Sequence, residues 1–410
     1  MAKNYADIYS SSNDVLALEQ RWYAKLEGTR GVLAIPGDSD FFWTLGGGSI
    51  SYSQNFESSP HRSGRHHSDI IKKKKETSFS FSTYFNIDES LGSASSSEID
   101  AANRLFFKSL LGKEVTSPNL KYTAETAPDV TFSLYECGDK WARQSPGAFI
   151  QGGNMSFPGD GEAKVEWSGA AKEAFFVGIG KSTVDNEGGN TVTLQAGEGD
   201  SFRVGAAVML VKADGVTRSA DTAAGSARFV QSIAGDVVTL SGAALADADG
   251  SAAAVYLCYY EPETPSAINN PVTGLVGSMN LAGLSVSAFR SATVNIQNNH
   301  EVVNYSYGTD GLASPYFVPG SRLTATVTVE TNLNAETIKL FNRIQDFEAQ
   351  DLTIVLGQSA GRHLEVACPS VKFKVPAFSL PETGSVPVSF EGDAYQTGLD
   401  QADEIALEFK

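Results

Sequence analysis

The chain is poor in cysteine and in long apolar runs, and each shortage removes a class of protein. Its 410 residues include only Cys137, Cys258 and Cys368, which are widely separated and odd in number. Neither a disulfide framework nor a zinc site of paired cysteines is therefore predicted, and we expect three buried, unpaired thiols. No run approaches the roughly 18 apolar residues of a membrane-spanning helix, so no membrane partner is predicted.

Basic residues are scarce as well. The chain has 31 Lys and Arg against 48 Asp and Glu, a formal net charge of −17. Proteins that hold nucleic acid through its phosphates need clustered basic residues, so such binding is disfavoured. The first residues include Lys3 and Asp7, and no apolar stretch of the length found in a signal peptide follows them. We therefore expect the chain to be made and kept in a cytoplasm.

The dominant pattern is alternation of apolar residues with Ser or Thr, which is typical of strands with one buried face. The hydrophobic fraction of 41% is sufficient for several cores, and the length suggests two or three domains. The fold class is therefore predicted to be mainly β with few helices. The clearest alternating stretches are residues 48–53, 77–84, 129–134, 165–167 and 323–329.

Helical spacing is clear in two places only. Residues 98–111 end before Gly112, and residues 334–347 begin at Asn334, with Ser97 and Asn334 as expected N-caps. In the second helix we expect Ile338, Phe341, Ile344 and Phe347 to form the apolar stripe. A shorter helix is possible over residues 13–26.

A tandem duplication is indicated by two similar stretches, residues 155–169 and 378–392, which lie 223 positions apart. Five of the fifteen aligned positions are identical, and three more exchange one large apolar residue for another. Such collinear similarity is the signature of a repeat. The residues that define its turn and final strand are Pro158, Gly161 and Trp167 in the first copy and Pro381, Gly384 and Phe390 in the second.

The similarity extends towards the start of each copy. Residues 49–55 match 293–299, residues 78–83 match 324–329, and Leu105 with Phe106 matches Leu340 with Phe341. Between the copies, an Ala- and Gly-rich stretch with five short apolar runs predicts a small all-β insert. The predicted domains are an N-terminal arm with the first copy (1–171), the insert (172–262) and the second copy (263–410).

One stretch concentrates basic residues in this acidic chain, and we interpret it as an extended loop between two strands. Adjacent histidines off any helix make a poor metal site, and the stretch lacks the aromatics of a polynucleotide reader. The preferred interpretation is a loop that lies against an acidic surface of another subunit, and a merely solvated loop is the alternative. Its residues are His61, Arg62, Arg65, His66, His67, Lys72, Lys73, Lys74 and Lys75.

No convergent set of catalytic or cofactor-binding residues is apparent. A triad of a serine with His67 and Asp69 has no nucleophile elbow around it, and neither Gly178-Ile-Gly180 nor Gly46-Gly-Gly48 forms a phosphate loop. We therefore predict that the chain is not an enzyme and holds no metal or cofactor. Trp22, Trp43, Trp141 and Trp167 are expected in the core or at subunit contacts, with a sugar platform as the alternative.

The duplicated unit of strand, long loop, strand, helix and further strands resembles the tail tube fold of long-tailed bacteriophages. With its two copies, carried by residues 155–169 and 378–392, the chain resembles the major tail tube proteins of non-contractile tails that have two tube domains per chain. The insert is similar to the decorating domains that such proteins display outside. The resemblance covers the whole chain as an architecture, without a sequence fingerprint.

The resemblance implies a structural virion protein, assembled in the bacterial cytoplasm, that stacks in rings to form a conduit for the genome. Three chains would form one pseudo-sixfold ring, and an acidic lumen would let DNA pass without binding it. Other partners implied are the tape-measure, tail-terminator and distal tail proteins. The rival interpretations are another structural protein of a phage or secretion tube, a β-rich adhesin or carbohydrate-binding surface protein, and a cell-wall hydrolase, for which no carboxylate pair is identified.

Overall fold

The computed structural model describes residues 3–11, 20–58, 70–85, 101–125, 129–183, 189–223, 225–245, 255–262, 277–285, 289–302, 317–319, 322–357, 363–378 and 380–410. Within them the chain is mainly β, which confirms the predicted fold class. The first part of the chain contains α1 (Tyr5–Ser10), β1 (Arg21–Leu26), β2 (Phe41–Phe42), β3 (Ser49–Ser58), β4 (Ile70–Tyr84), α2 (Ala101–Leu111), β5 (Gly112–Val115), β6 (Leu120–Ala124), β7 (Phe132–Cys137), β8 (Ala142–Pro158), β9 (Lys164–Ala171) and β10 (Phe175–Val177).

The middle part forms a sheet of its own. Its six strands follow the order β11, β16, β13, β14, β15, β12. Their bounds are β11 (Ile179–Lys181), β12 (Thr191–Thr193), β13 (Ala207–Val211), β14 (Arg228–Ala234), β15 (Val237–Leu240) and β16 (Tyr256–Tyr259), with 3-10 turns at Glu198–Ser201 and Ala220–Thr222 and another at Asp38–Asp40 before β2.

The last part follows a similar order to the first, but among its described residues it lacks a counterpart of the hairpin β5–β6 after its helix. It contains β17 (Gly277–Leu281), β18 (Leu284–Ser285), β19 (Phe289–Gln297), β20 (His300–Val302), β21 (Phe317–Pro319), β22 (Thr324–Asn332), α3 (Ala335–Gln345), β23 (Gln350–Leu356), β24 (Leu364–Phe373), β25 (Pro387–Ala394) and β26 (Ala406–Phe409).

One antiparallel sheet runs through both copies. Its strand order is β3, β4, β9, β8, β19, β22, β25 and the end of β24. Each copy thus supplies four strands in the same order, and β8 of the first lies beside β19 of the second. We call this pairing the internal junction.

A second layer covers the inner face of this sheet. The first half of β8 pairs with β7 and β10, and β7 pairs with β1. The first half of β24 pairs with β23 and β26, and β26 also pairs with β6 of the first copy. Inward side chains from both copies, together with α2 and α3, form one apolar core.

The two helices begin and end for local reasons. Gly112 follows α2 with a φ of 96°, the left-handed backbone that glycine adopts without steric cost. The Asn334 side chain accepts hydrogen bonds at 2.9 Å from the amides of Glu336 and Thr337 at the start of α3.

The apolar stripe predicted for α3 is confirmed for Ile344, which is buried, and for Phe341, which packs against the core, but it was wrong for Ile338 and Phe347. The buried residues are Thr337, Leu340 and Ile344, whereas Ile338 is 53% exposed and Phe347 lies beyond the helix, 84% exposed. Three-residue steps turn by only about 300° on a 3.6-residue helix, so such a row drifts off the buried face. The possible helix over residues 13–26 was also wrong for its last six residues, which form β1.

The strand correspondence between the copies is confirmed for one pair and shifted for another. Gly169 and Gly392, which the repeat aligns, pair with Phe79 and Val327. These two in turn pair with Ile50 and Val294, which confirms the match of residues 49–55 with 293–299. The same pairing places Phe79, rather than Phe81, at the position of Val327. The match of residues 78–83 with 324–329 was therefore wrong by two residues, because alternating sequences align equally well at either register.

The inserted sheet shares a core with the first copy. Tyr23 and Tyr135 are buried in the same apolar cluster as Val208 and Leu257. The Gln144 side chain of β8 also donates to and accepts from the backbone of Ala207, both at 2.8 Å. The helix α1 packs on the same sheet, with the rings of Tyr5 and Tyr259 6.0 Å apart.

Candidate assembly interface

The internal junction shows how one copy joins the next. Seven residue pairs connect β8 and β19, from Gly152 with Gln297 to Pro158 with Ser291. The backbone bond from the Asn298 amide to the Gln151 carbonyl, 2.9 Å, continues this ladder beyond its last pair. The join is therefore a strand addition that makes two four-stranded units into one sheet.

Apolar side chains make the junction part of the core. Met155 and Phe157 of β8 are 0% and 2% exposed, and Val294 and Ile296 of β19 are both 0% exposed. Met155 lies directly opposite Val294. Burial on this scale contributes about 1.5–3 kcal/mol per large side chain, so the junction is held by packing as well as by backbone hydrogen bonds.

The first free edge of the sheet is β3. Within the described residues it pairs only with β4, although its counterpart β19 is paired on both sides. Tyr52 is 42% exposed and Phe56 is 68% exposed along this edge. An unpaired edge strand presents amides and carbonyls to any strand that can approach it.

The second free edge lies at the other end of the sheet. Residues 374–378 and 380–381, which we call the unpaired segment, follow β24 but lie in no strand. Counting by the repeat, Phe378 and Leu380 correspond to Met155 and Phe157. Met155 and Phe157 are buried, whereas Phe378 is 46% exposed and Leu380 is 76% exposed. The unpaired segment therefore has the apolar pattern of the end of β8, but no strand of the described residues lies beside it as β19 lies beside β8.

Apolar surface continues from this segment onto α3. The Phe378 ring lies 5.6 Å from the ring of Phe341, edge to face, and Ile338 one turn earlier is exposed. Val375 is also 54% exposed. Contiguous exposed apolar side chains of this kind mark a contact surface.

The outward face of the sheet is polar and carries mainly hydroxyl groups. Its charged side chains include Glu166, Glu330 and Glu391, with Lys164 and Lys372 among them. The hydroxyl residues that point outward include Ser49, Ser51, Ser53, Ser78, Ser80, Ser82, Thr324, Thr326, Thr328 and Ser389. Opposite them, Phe79, Phe81, Val327 and Val329 are buried, as the alternation predicted.

The basic stretch is divided by the boundary of the described residues. Lys72, Lys73, Lys74 and Lys75 lie in β4, where Lys75 pairs with Gln54 and Lys72 with Phe56. The prediction of a loop was therefore wrong for these four residues, because the alternating pattern stops before the strand does. His61, Arg62, Arg65, His66 and His67 lie outside the described residues. The second copy has the short hairpin of β20 and β21 at the corresponding place.

The repeat-defining residues keep their packing in the final strand only. Trp167 and Phe390 are 1% and 0% exposed, and each ring lies 5.5 Å from its helix partner, Phe106 or Phe341. The aligned Pro-x-x-Gly turns differ in backbone.

In the first of those turns, Pro158 ends β8 opposite Ser291. In the second, Pro381 lies outside the strands, and Gly384 has a φ of 91° that Gly161 does not share. The turns differ because only the first is next to a paired strand.

An arginine lies beside the free edge of β3. Arg143, in the first half of β8, donates from its guanidinium to the carbonyl of Ile50. Its Nε lies 2.7 Å from the carboxylate of buried Glu136, and its guanidinium carbon lies 5.1 Å from the ring centre of Trp141. Burial raises the pKa of Glu136 above the ordinary carboxyl value, and the hydrogen bond from Arg143 opposes that rise.

A cleft of about 760 Å³ opens beside the same edge. It separates β3 from the inserted sheet, and its walls are aromatic and charged. The residues that line it include Tyr52, Gln54, Lys75, Arg143, Glu173, Phe176, Asp200 and Arg203.

The thiols and acidic side chains form no site of another kind in the part of the chain that the structure describes. Cys137, Cys258 and Cys368 are buried and unpaired, as predicted, and burial raises the pKa of Cys368 to about 12. No three His, Cys, Asp or Glu side chains gather as metal ligands among those residues. None of their helices is both long and apolar enough to cross a bilayer.

Comparison with known proteins adds no relative. No protein-family model matches the chain, and no curated protein matches it. The candidate interface therefore rests on geometry alone.

The sequence pattern did not predict the two free edges of the sheet or the position of Arg143. Alignment of the copies did contain a signal, because it placed Phe378 and Leu380 opposite two core residues of the first copy. Exposure is a property of the folded chain, however, so the two free edges became visible only in the sheet.

Proposed function

We propose that the protein is a self-assembling structural protein, the major tail tube protein of a bacteriophage with a long non-contractile tail. The observation that carries the proposal is the continuous sheet with one filled junction and two matching free edges. A head-to-tail contact between copies forms a ring when its rotation divides a full turn evenly.

The internal junction supplies a register for the contact between chains. Applying the repeat to both strands places Ile50 of one chain opposite Phe378 of the next, and Gly48 opposite Leu380. Tyr52 would face Pro376, which has no amide to donate and so leaves one bond of the ladder unmade. The exposed Phe378 and Leu380 would then be buried as Met155 and Phe157 are.

With two units per chain, the six-unit ring that the resemblance to tail tube proteins implies would contain three chains. Six four-stranded units would form a closed barrel with no remaining edges, and three inserted sheets would project from it. The hydroxyl-rich face would line the lumen. Its hydroxyl groups carry no positive charge that would hold DNA, and its carboxylates repel phosphate, which suits passage of a genome.

The protein is made in the host cytoplasm and becomes part of the virion tail, where rings stack on one another. The tape-measure, tail-terminator and distal tail proteins are the further partners that this role requires. No catalytic activity and no cofactor form part of the proposal.

The register can be tested by disulfide formation between chains. Ser51 and Ala377 would face each other as a non-hydrogen-bonded pair, the closer of the two kinds of antiparallel pair. The double variant Ser51→Cys/Ala377→Cys is expected to form covalent dimers and trimers on oxidation of concentrated protein. Because the native thiols are buried, the engineered pair is the reactive one.

Matched controls separate register from general proximity. Asn154 and Asn295 are the corresponding pair in the internal junction, so Asn154→Cys/Asn295→Cys should cross-link within one chain. Ser53→Cys/Ala377→Cys is two residues out of register on the same face and should cross-link poorly. Equal yields for the two between-chain pairs would contradict the proposed contact, as would a wild-type protein that stays monomeric in electron micrographs at high concentration.

One feature supports the adhesin alternative, the aromatic pair formed by half-buried Trp141 and exposed Phe176. Their rings stack 5.4 Å apart at an interplanar angle of 15°. The Trp141 ring also carries Arg143, so less of it is free to stack on a sugar. Binding to a glycan array that is lost in Trp141→Ala would favour this second function.

A further inference from the structure

The carbonyl that Arg143 caps belongs to the free edge of the sheet. In an antiparallel ladder, alternate residues bond to alternate neighbours. At the internal junction the bonds from Asn298 to Gln151 and from Gly159 to Arg290 show that the even-numbered residues of β19 bond to β8. Val294 is one of them, and Ile50 is its counterpart. The Ile50 carbonyl therefore points away from β4, where a further strand would bond.

The corresponding place at the filled junction has no arginine. Arg143 pairs with Glu136 across β7 and β8, and the repeat places Val366, opposite Ile354, at the same position in the second copy. Val366 is fully buried, and the Val294 edge beside it is occupied by Met155 of β8. An arginine is thus present where the edge lacks a strand, and a valine is present where the edge has one.

The guanidinium is held in place from two further directions. Besides the 2.7 Å contact of its Nε, a second nitrogen donates to the Glu136 carboxylate at 2.9 Å. The ring of Trp141 lies beneath it. Arg143 can release Ile50 and still keep its partner Glu136, so the bond to the edge is the one that can be exchanged.

We propose that Arg143 is a gate on the β3 edge, occupying in the free chain the position that the Phe378 amide of a second copy takes on assembly. The inference rests on the proposed function for its partner. Its effect is to slow the addition of strands to a monomer, since an incoming chain must first displace a charge-assisted hydrogen bond. Natural proteins commonly protect free edges with a charged side chain.

The gate can be tested on the full-length chain with a synthetic peptide of residues 372–383, labelled with a fluorophore. The informative variant is Arg143→Gln/Glu136→Gln, which leaves no buried carboxylate without its cation. Its matched control is Glu136→Gln, which keeps the arginine on Ile50. We expect the double variant to bind the peptide about tenfold more tightly than the control, the factor expected when a competing charge-assisted bond is removed.

Two results would overturn the gate. One is equal affinity in the double variant and its control when both have the melting temperature of the wild type, and the other is no peptide binding by any of the three proteins. If the double variant fails to fold, Arg143→Lys serves instead, because lysine keeps the charge beside Glu136 without the fork that reaches Ile50.

Assembly of the same proteins is measured separately by light scattering. A shorter lag in the double variant than in Glu136→Gln is expected. If none of the proteins forms tubes but the peptide affinities differ as expected, the tail tube function fails and the gate remains. If tubes form with equal lags and equal affinities, the function remains and the gate fails.

Discussion

Trp167 and its counterpart Phe390 differ in chemistry while keeping the same place in the two copies. The Trp167 indole donates to the Thr83 hydroxyl at 2.9 Å, and that hydroxyl donates to Asn103 of α2 at 3.0 Å. Phe390 packs at the same position without any polar group. At this position the first copy therefore joins its helix to the sheet by buried hydrogen bonds, and the second copy does so by apolar contact.

Removing only the indole nitrogen should be costly in the first copy. We expect Trp167→Phe to lower the free energy of unfolding by about 1–3 kcal/mol beyond the loss of ring volume, because it removes a donor from a buried hydroxyl. Urea unfolding measures the effect. Trp22 is the control, since it is equally buried and its indole nitrogen has no hydrogen-bond partner among the described residues. Equal losses in Trp167→Phe and Trp22→Phe would contradict the expectation.

His300 makes the fold sensitive to mild acid. Burial, with a smaller contribution from Arg30, lowers the pKa of His300 to about 4, whereas an unfolded histidine titrates near about 6.5. Between these values the unfolded chain binds a proton that the folded chain does not. Above about pH 6.5 His300 is neutral in both states and leaves the free energy of unfolding unchanged. As the pH falls from there towards 4, the free energy of unfolding decreases.

The phenylalanine variant isolates this effect. His300→Phe keeps a ring against Phe149, which lies 5.9 Å away, but cannot titrate. Between pH 7.5 and pH 5 the wild-type melting temperature should fall by about 2–4 °C more than that of the variant. Parallel falls in the two proteins would show that other groups account for the acid sensitivity.

At the scale of elements, the unpaired segment and the end of β8 have the same pattern in different surroundings. We expect Phe378→Ser/Leu380→Ser to leave the melting temperature nearly unchanged, because both side chains are exposed in the single chain, and to abolish assembly. Met155→Ser, at the filled position, should instead lower stability by about 2–5 kcal/mol. Thermal unfolding and sedimentation measure the two properties. Normal tubes from the double variant would exclude the segment as a contact.

Strands with one buried face were predicted well from the sequence. Turns and strand ends were predicted poorly, because their conformation depends on which strand lies beside them. Alternation located β3, β4, β9 and β22, while Gly112 marked the end of α2 and Asn334 the start of α3; Ser97 lies outside the described residues. The Pro-x-x-Gly alignment suggested equal turns, yet Pro158 lies beside a paired strand and Pro381 does not. The apolar pattern alone predicts that β4 begins after the lysines. The strand nevertheless includes them, because its backbone pairing with β3 continues there.

The free edges could not be predicted from the sequence for a physical reason. Strand propensity and alternation describe one strand at a time, whereas an edge is a relation between strands. Ser51 and Asn295 occupy corresponding positions, and only the pairing of β19 with β8 distinguishes them. Arg143 carried no signal for the same reason, since Ile50 lies far from it in the chain.

For the whole molecule, the proposed ring has a definite composition. Each chain has a mass of 43.5 kDa, and we expect three chains per ring, with three external projections around a near-sixfold wall. Mass measurement of isolated rings and cryo-electron microscopy of the tube test this. Six chains in one ring, or six projections, would contradict the arrangement.

Stacking of rings should depend on the lysines of β4. We expect replacement of Lys72, Lys73, Lys74 and Lys75 by Ser to shorten tubes more than it reduces ring formation, because the acidic chain offers an attractive surface to these charges. High salt should reproduce the effect in the wild type by screening. Tube lengths in electron micrographs at low salt that match those of the wild type would contradict it.

The internal junction also changes the kinetics of closing a ring. In the proposed ring of six units, three of the six joins form while each chain folds, at the high effective concentration of two tethered partners. The other three require collisions between separate molecules. Fusion of two units thus halves the number of encounters that depend on protein concentration, and every growing fragment contains an even number of units.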